Sequence, residues 1–150
     1  MTNGTITMMD VSSGASIGAN WHQLVHRNGR DSMLDVILKR FEQPDETMTF
    51  EKGKFEIVHI GGMTIGRATY EPGWRWSEHI GKPRGEKLCM VEHVGIVVSG
   101  RSGLSMEDGT VKEMRTGDVF YVAPGHDSWV IGDEPYVSIH LMGAEKYGRK

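Results

Sequence analysis

From residue 55 onward, short runs rich in Val, Ile, Thr, Tyr and Trp recur at intervals of roughly 8–12 residues, with Gly, Pro and Asp between them. The runs cover 55–60, 63–70, 74–79, 89–98, 103–106, 110–114, 119–122, 128–131 and 136–142, and nearly all have the length of a strand. Between them stand pairs such as Gly61-Gly62, Ser99-Gly100, Asp108-Gly109, Gly117-Asp118 and Pro124-Gly125, where glycine supplies positive φ at little steric cost. Asp108-Gly109 is the strongest hairpin signal, since both residues suit the centre of a type I′ turn. No long helical apolar stripe interrupts the series. The pattern predicts an all-β sandwich or barrel.

A chain of 150 residues is the size of one domain and can bury a core. Residues 1–33 are rich in Gly, Ser, Thr and Asn and lack periodicity, so they read as a disordered, flexible extension ahead of a folded domain over 34–150. Whether this segment is a tail or a start set too far upstream stays open. Charged residues make up 25 % and the net charge is −3, which provides no basic field for nucleic acid or acidic membranes, and neither is expected as a partner. Cys89 is the only cysteine, so no intrachain disulfide forms and a cytoplasmic location is expected. The sequence starts with no basic leader followed by an apolar run, and no stretch reaches the roughly 18 apolar residues of a membrane span.

Over about residues 50–142 the chain resembles the cupin superfamily. The first motif of that family runs Gly, five residues, His-x-His, a short spacer, Glu, six residues, Gly; Gly73 and His79 match its opening, and His93 followed by VGIVVS and Gly100 matches its second half, with histidine in the glutamate position. The second motif runs Gly, five residues, Pro-x-Gly, two residues, His, and Gly117-DVFYVAPGH repeats its glycine spacing to Gly125. The resemblance implies a single cupin-type double-stranded β-helix, a jelly-roll barrel. Gly81 occupies the place of the second His of His-x-His, and the loop IGKPRGEKL lengthens the interval after His79. Glu86 competes with His93 for the glutamate role, and His93, on a predicted strand, is preferred. Counting forward from Gly125 puts Ser128 at the last ligand position, whereas counting back from Gly132 selects His126; residues two apart on a strand share a face, and His126 has the ligand chemistry.

The resemblance thus makes His79, His93 and His126 the candidate ligands of a divalent transition metal, with Fe, Mn, Ni and Zn all open and a metal-free barrel as the alternative. On the run 89–98, alternation puts Cys89, Val91, His93, Gly95 and Val97 on one face, and the resemblance turns that face inward. Cys89 reads as a small buried apolar residue, with a thiolate ligand as the alternative. His140, Arg75, Ser77 and Tyr121 are further candidate pocket residues: His140 as a fourth ligand or acid/base, Arg75 as a carboxylate-binding fork, Ser77 on the face of His79, and Tyr121 at the barrel mouth, although core packing is the preferred reading of Tyr121.

Because the cupin fold carries many chemistries, it does not choose the reaction. The leading expectation is a metal-dependent enzyme, of oxygenase, isomerase or lyase type, acting on a small polar metabolite. The alternative is a non-catalytic small-ligand binding or sensor module, favoured by the missing second His. A homodimer is expected, because Val36, Ile37, Leu38 and Phe41 give an isolated barrel apolar surface that it cannot easily cover, with 34–41 as a candidate dimer strand.

Overall fold

The computed structural model of the chain describes residues 36–149, so the extension read over 1–33 lies outside the described residues. Nine strands follow in order: β1 (Glu46–Phe50), β2 (Gly53–Ile60), β3 (Met63–Tyr70), β4 (His93–Ser99), β5 (Arg101–Met106), β6 (Val111–Arg115), β7 (Val119–Val122), β8 (His126–Val130) and β9 (Tyr136–Met142). They form a six-stranded sheet in the order β1-β2-β3-β9-β4-β7 and a three-stranded sheet in the order β6-β5-β8, with every pair antiparallel. The all-β expectation holds. Closure into a jelly-roll barrel is not seen: each sheet is open, ending on β1 and β7 or on β6 and β8.

The strands fall where the apolar runs were read, with three physical differences. Residues 74–79 were expected to form a strand, but only Arg75 makes a β-bridge, to Trp129, before the chain winds into a π-type turn (Ser77–Gly81) and a 3-10 turn (Lys82–Arg84). Tertiary contacts decide this: Trp74 stacks on Tyr70 with ring centroids 3.7 Å apart, and Asp127 accepts hydrogen bonds from the Ser77 backbone N–H and hydroxyl, both at 2.9 Å. The hairpin at Asp108-Gly109 is present, but only Gly109 has positive φ there (+87°), so the turn closes from Gly109 N–H to the Met106 carbonyl rather than in the type I′ form. Strand β1 was not foreseen, and residues 36–40 are irregular rather than a strand.

The segment before β1 covers the outer face of β2 and β3. Arg67 lies over the Phe41 ring, 5.0 Å from its centroid, and donates to the Phe41 carbonyl. Beneath this cover Glu56 is only 5 % exposed, unusual for a carboxylate unless it is paired. It accepts hydrogen bonds from Arg67 Nε and Lys54 Nζ, each at 2.8 Å, and Arg67 is its registered neighbour across the sheet. The inner faces of the strands supply the core, with Phe55, Ile57 and Ala68 fully buried. Gly95 lets β4, β7 and β9 approach one another: a methyl there would run into the Ile139 carbonyl and the Phe120 ring. No helix of the described residues is long and apolar enough to cross a membrane.

Burial alone would raise the pKa of Glu56, and the hydrogen bonds from Arg67 and Lys54 overcome it, so the net shift is downward from 4.5. A carboxylate with a depressed folded pKa contributes stability above its unfolded value and loses it as pH falls. Glu56→Gln should therefore cost about 1–3 kcal/mol near pH 7, and the gap from wild type should close below about pH 4.5. Urea unfolding at a series of pH values measures this, and a gap that stayed constant down to pH 3 would contradict the assignment.

Candidate functional site

Period-2 alternation along β4 buries His93, Gly95 and Val97 on one face, as the sequence pattern predicted. On β8, His126 and Ser128 both line the interior between the sheets, so the count forward from Gly125 and the count back from Gly132 differ in depth and not in face. Cys89 lies ahead of β4 and makes a single β-bridge to His126, with Cys89 N–H donating to the His126 carbonyl at 2.7 Å. This bridge brings three ligand-bearing side chains together. One ligand atom each from Cys89, His93 and His126 lies within 4.8 Å of the others, and all three residues are buried.

The donors are arranged as metal ligands require. His126 Nδ1 sits 2.7 Å from the Ala123 carbonyl, so it carries the proton and Nε2 is left with a free lone pair. His93 Nε2 is 3.6 Å from Cys89 Sγ, close to the roughly 3.5 Å that tetrahedral zinc bonds impose between a sulfur and a nitrogen ligand. Burial, then the nearby His140 and His126 rings, push His93 down to about 2, and burial also lowers His126. Both imidazoles are therefore neutral near pH 7, the form that binds metal. Burial raises the Cys89 thiol to about 11, so a metal would have to displace its proton.

Beside this group lies a partly open cavity of about 40 Å³, large enough to admit water. Its wall includes His93, His126, His140, Ser138, Tyr136, Trp76 and Tyr147, with no Asp, Glu, Lys or Arg. His140 is held neutral by burial and by His126, at about 4, with its ring 5.1 Å from that of His93. Its Nε2 meets Ser138 Oγ at 3.0 Å, and its Nδ1 is buried without a partner. Tyr147, from the turn after β9, hydrogen-bonds Tyr70 through their hydroxyls at 2.6 Å and packs against His93.

The other candidates lie elsewhere. His79, in the π-type turn, has Nδ1 2.9 Å from the Arg75 carbonyl and lines an outer groove with Glu51 and Arg84 rather than the cavity. Arg75 pairs with Asp127 at 2.7 Å and lies over the Trp129 ring, and Ser77 bonds the same carboxylate. Tyr121 is 63 % exposed, 3.4 Å from Glu92, while its neighbours Phe120 and Val122 face the cavity. Glu86 is exposed. Gly81, where the family's second histidine would stand, has no room for a side chain: a Cβ would lie 2.6 Å from the Trp76 ring. Of the residues that join the site, Cys89 was visible as sharing the face of His93. Tyr147 lies beyond the last predicted strand and had no signal.

Fold and site together define a two-sheet, all-β domain with a buried thiol–imidazole group. No protein-family model and no curated protein match the chain. Among solved structures it is similar to a structural-genomics protein of unknown function from Rhizobium leguminosarum bv. viciae, with 24 % identity, 61 % of this chain and 80 % of that one, and TM-score 0.47. It is also similar to a mutant of Bacillus subtilis oxalate decarboxylase, with 25 % identity over 68 % of this chain and TM-score 0.49, where the match spans only 28 % of that chain. A protein of unknown function from Acinetobacter sp. ADP1 matches at 14 % identity, 65 % of this chain and 89 % of that one, with TM-score 0.49.

Asp127 ties the connection carrying Arg75 and Ser77 to β8, next to His126. Asp127→Ala strands several partly buried donors and should cost about 1–3 kcal/mol in urea unfolding. Arg75→Ala, which removes one partner at a site more open to solvent, should cost less than half as much. Equal losses would show that the carboxylate has no special anchoring role.

Proposed function

We propose that this chain is a cupin-type protein that binds one divalent transition-metal ion in its interior through Cys89, His93 and His126 and acts on a small polar metabolite in the adjoining cavity. The observation that supports this is the convergence of one thiol and two neutral imidazoles on one buried point. Three protein ligands leave a coordination position for water or substrate, the arrangement of catalytic rather than structural sites. A thiolate among the donors favours the softer ions, so zinc fits better than manganese from the set expected at the outset. Such an ion supplies Lewis acidity or an activated water at neutral pH. The chain's own residues then have separate tasks. Ala123 fixes the His126 tautomer, His140 offers a neutral Nδ1 to a bound ligand, and the aromatic wall excludes bulk water. An oxygenase, isomerase or lyase reaction is consistent with this division.

A second reading, a non-catalytic sensor, is favoured by the absence of any carboxylate in the cavity wall and by its small volume of about 40 Å³. For the assembly, a homodimer remains the proposal: Ile37 and Leu38 are 58 % and 85 % exposed. Leu38→Asp should shift sedimentation from dimer to monomer, and a monomeric wild-type protein at tens of micromolar would end that proposal. A free buried thiol suits a reducing compartment, so the cytoplasm is the proposed location.

Elemental analysis of the untagged protein should find about one equivalent of zinc or another first-row ion. His93→Asn and Cys89→Ser should lose nearly all of it, while His79→Asn keeps it. After exchange with cobalt, a thiolate-to-cobalt charge-transfer band in the near ultraviolet should be present in wild type and absent in Cys89→Ser. Full metal occupancy in both His93→Asn and Cys89→Ser would refute the site.

A further inference from the structure

The two sheets separate between β6 and β7. Residues 116–118 join these strands, yet β6 pairs with β5 and β7 pairs with β4, so each turns a free edge toward the seam. The connecting turn is pinned to β4: Gly117 N–H donates to the Val97 carbonyl, and Val97 N–H donates to the Asp118 carbonyl. Beyond that corner no ladder among the described residues joins the two edges.

Along the seam lies a surface groove of about 300 Å³, lined by Lys112 and Met114 from β6 and by residues 119–122 of β7. Four side chains that line it, those of Leu104, Met114, Phe120 and Val122, also line the cavity beside His93 and His126. Groove and cavity are therefore the two sides of one apolar partition. Parts of that partition can move. Met114 is only partly buried, and the three rotatable bonds of a methionine let it refill an irregular gap. The Phe120 ring lies 5.6 Å from that of His140 and rests against Gly95, so its displacement would open His140 to the groove.

Size and charge limit what the groove takes. The cavity, at about 40 Å³, admits water but not a metabolite. The body of any larger ligand that reaches the histidines must then lie outside it. The groove, at about 300 Å³, stands at the lower end of the roughly 300–1,000 Å³ of small-ligand sites. Its two charged side chains, Lys112 and Asp118, have opposite signs and give no net attraction to either kind of ion. An ionised head drawn past the partition would lose its hydration, and no Asp, Glu, Lys or Arg lines the cavity beyond to compensate.

We propose that the groove between β6 and β7 binds the apolar body of a small neutral amphiphile, of the medium-chain alcohol class, with its polar head passed between Met114 and Phe120 toward the imidazoles. The proposal rests on the reading of the interior as a metabolite site and names the ligand class, but it depends on the seam rather than on the metal.

The test titrates the full-length protein with 1-butanol, 1-pentanol, 1-hexanol and hexanoate. Methionine methyl resonances in carbon–proton correlation spectra report binding, with Met114 assigned by its loss in Met114→Leu. The Met114 signal should shift saturably, and affinity should rise about threefold to fourfold with each added methylene. Hexanoate should bind at least about tenfold more weakly than 1-hexanol. Val119, 74 % exposed, lines the groove, whereas Val111, 61 % exposed, lies outside it. Val119→Asp should weaken 1-hexanol about threefold to tenfold, and Val111→Asp should leave it unchanged. No shift at Met114, an affinity flat along the series, hexanoate binding as tightly as 1-hexanol, or equal effects of the two substitutions would each overturn the proposal. A methylene gradient in a protein that holds no metal by elemental analysis would refute the metal reading and leave this one standing; metal without a gradient would do the reverse.

Discussion

The site depends on how the long connection between β3 and β4 is tied to β8. Asp127 holds its first half, receiving Arg75 and Ser77, and the Cys89–His126 bridge holds its second half. Neither fastening is a continuous strand pairing. Two short contacts, made by the neighbouring residues His126 and Asp127 at the start of β8, fix the two ends of the stretch from Ser77 to Cys89, and the second contact is also the one that sets Cys89 beside His93. Ordering such a segment is entropically costly, so it requires strong, directional partners. A buried carboxylate accepting several hydrogen bonds is a partner of that kind.

From this fastening follows the electrostatic character of the interior. Three imidazoles and a thiol share one desolvated volume, and burial drives each toward its neutral form. Neutral groups are cheaper to bury, yet each retains lone pairs or protons that want partners. His126 finds one in Ala123 and His140 finds one in Ser138, whereas His93 Nδ1, His140 Nδ1 and Trp76 Nε1 find none. Buried polar atoms without partners are rare in native proteins and concentrate where a ligand completes the network. Three of these atoms belong to residues that line one small cavity, whereas a fourth, Trp74 Nε1, belongs to the core.

Close packing sets the dimensions of that cavity. Glycine at 95 admits the Phe120 ring against β4, and glycine at 81 admits the Trp76 ring against its own turn. Both rings then become cavity wall. Gly81 is therefore tied to the placement of the Trp76 ring, while Cys89, His93 and His126 come together as a buried thiol–imidazole group.

The strand rhythm, the turns and the face that His93 shares with Gly95 and Val97 were legible in the sequence because they are local: alternation has period two, and positive φ selects glycine within a few residues; the inward direction of that face came only from the family resemblance. The nine-strand count was nearly so, with β3, β7 and β9 at the boundaries the apolar runs gave and β1 overlooked. The shared face of His126 and Ser128 followed from the same alternation. What the sequence could not decide was which distant segments meet. Alternation gave residues 74–79 a strand pattern, but stacking of Trp74 on Tyr70 and the pull of Asp127, some fifty residues away, bent them into a π-type turn and took His79 out of the interior. Cys89 and Tyr147 joined the site through contacts across the fold, which no local pattern encodes. Local backbone preference is a property of neighbours in the chain, whereas the composition of a buried site is set by which neighbours packing brings together in space.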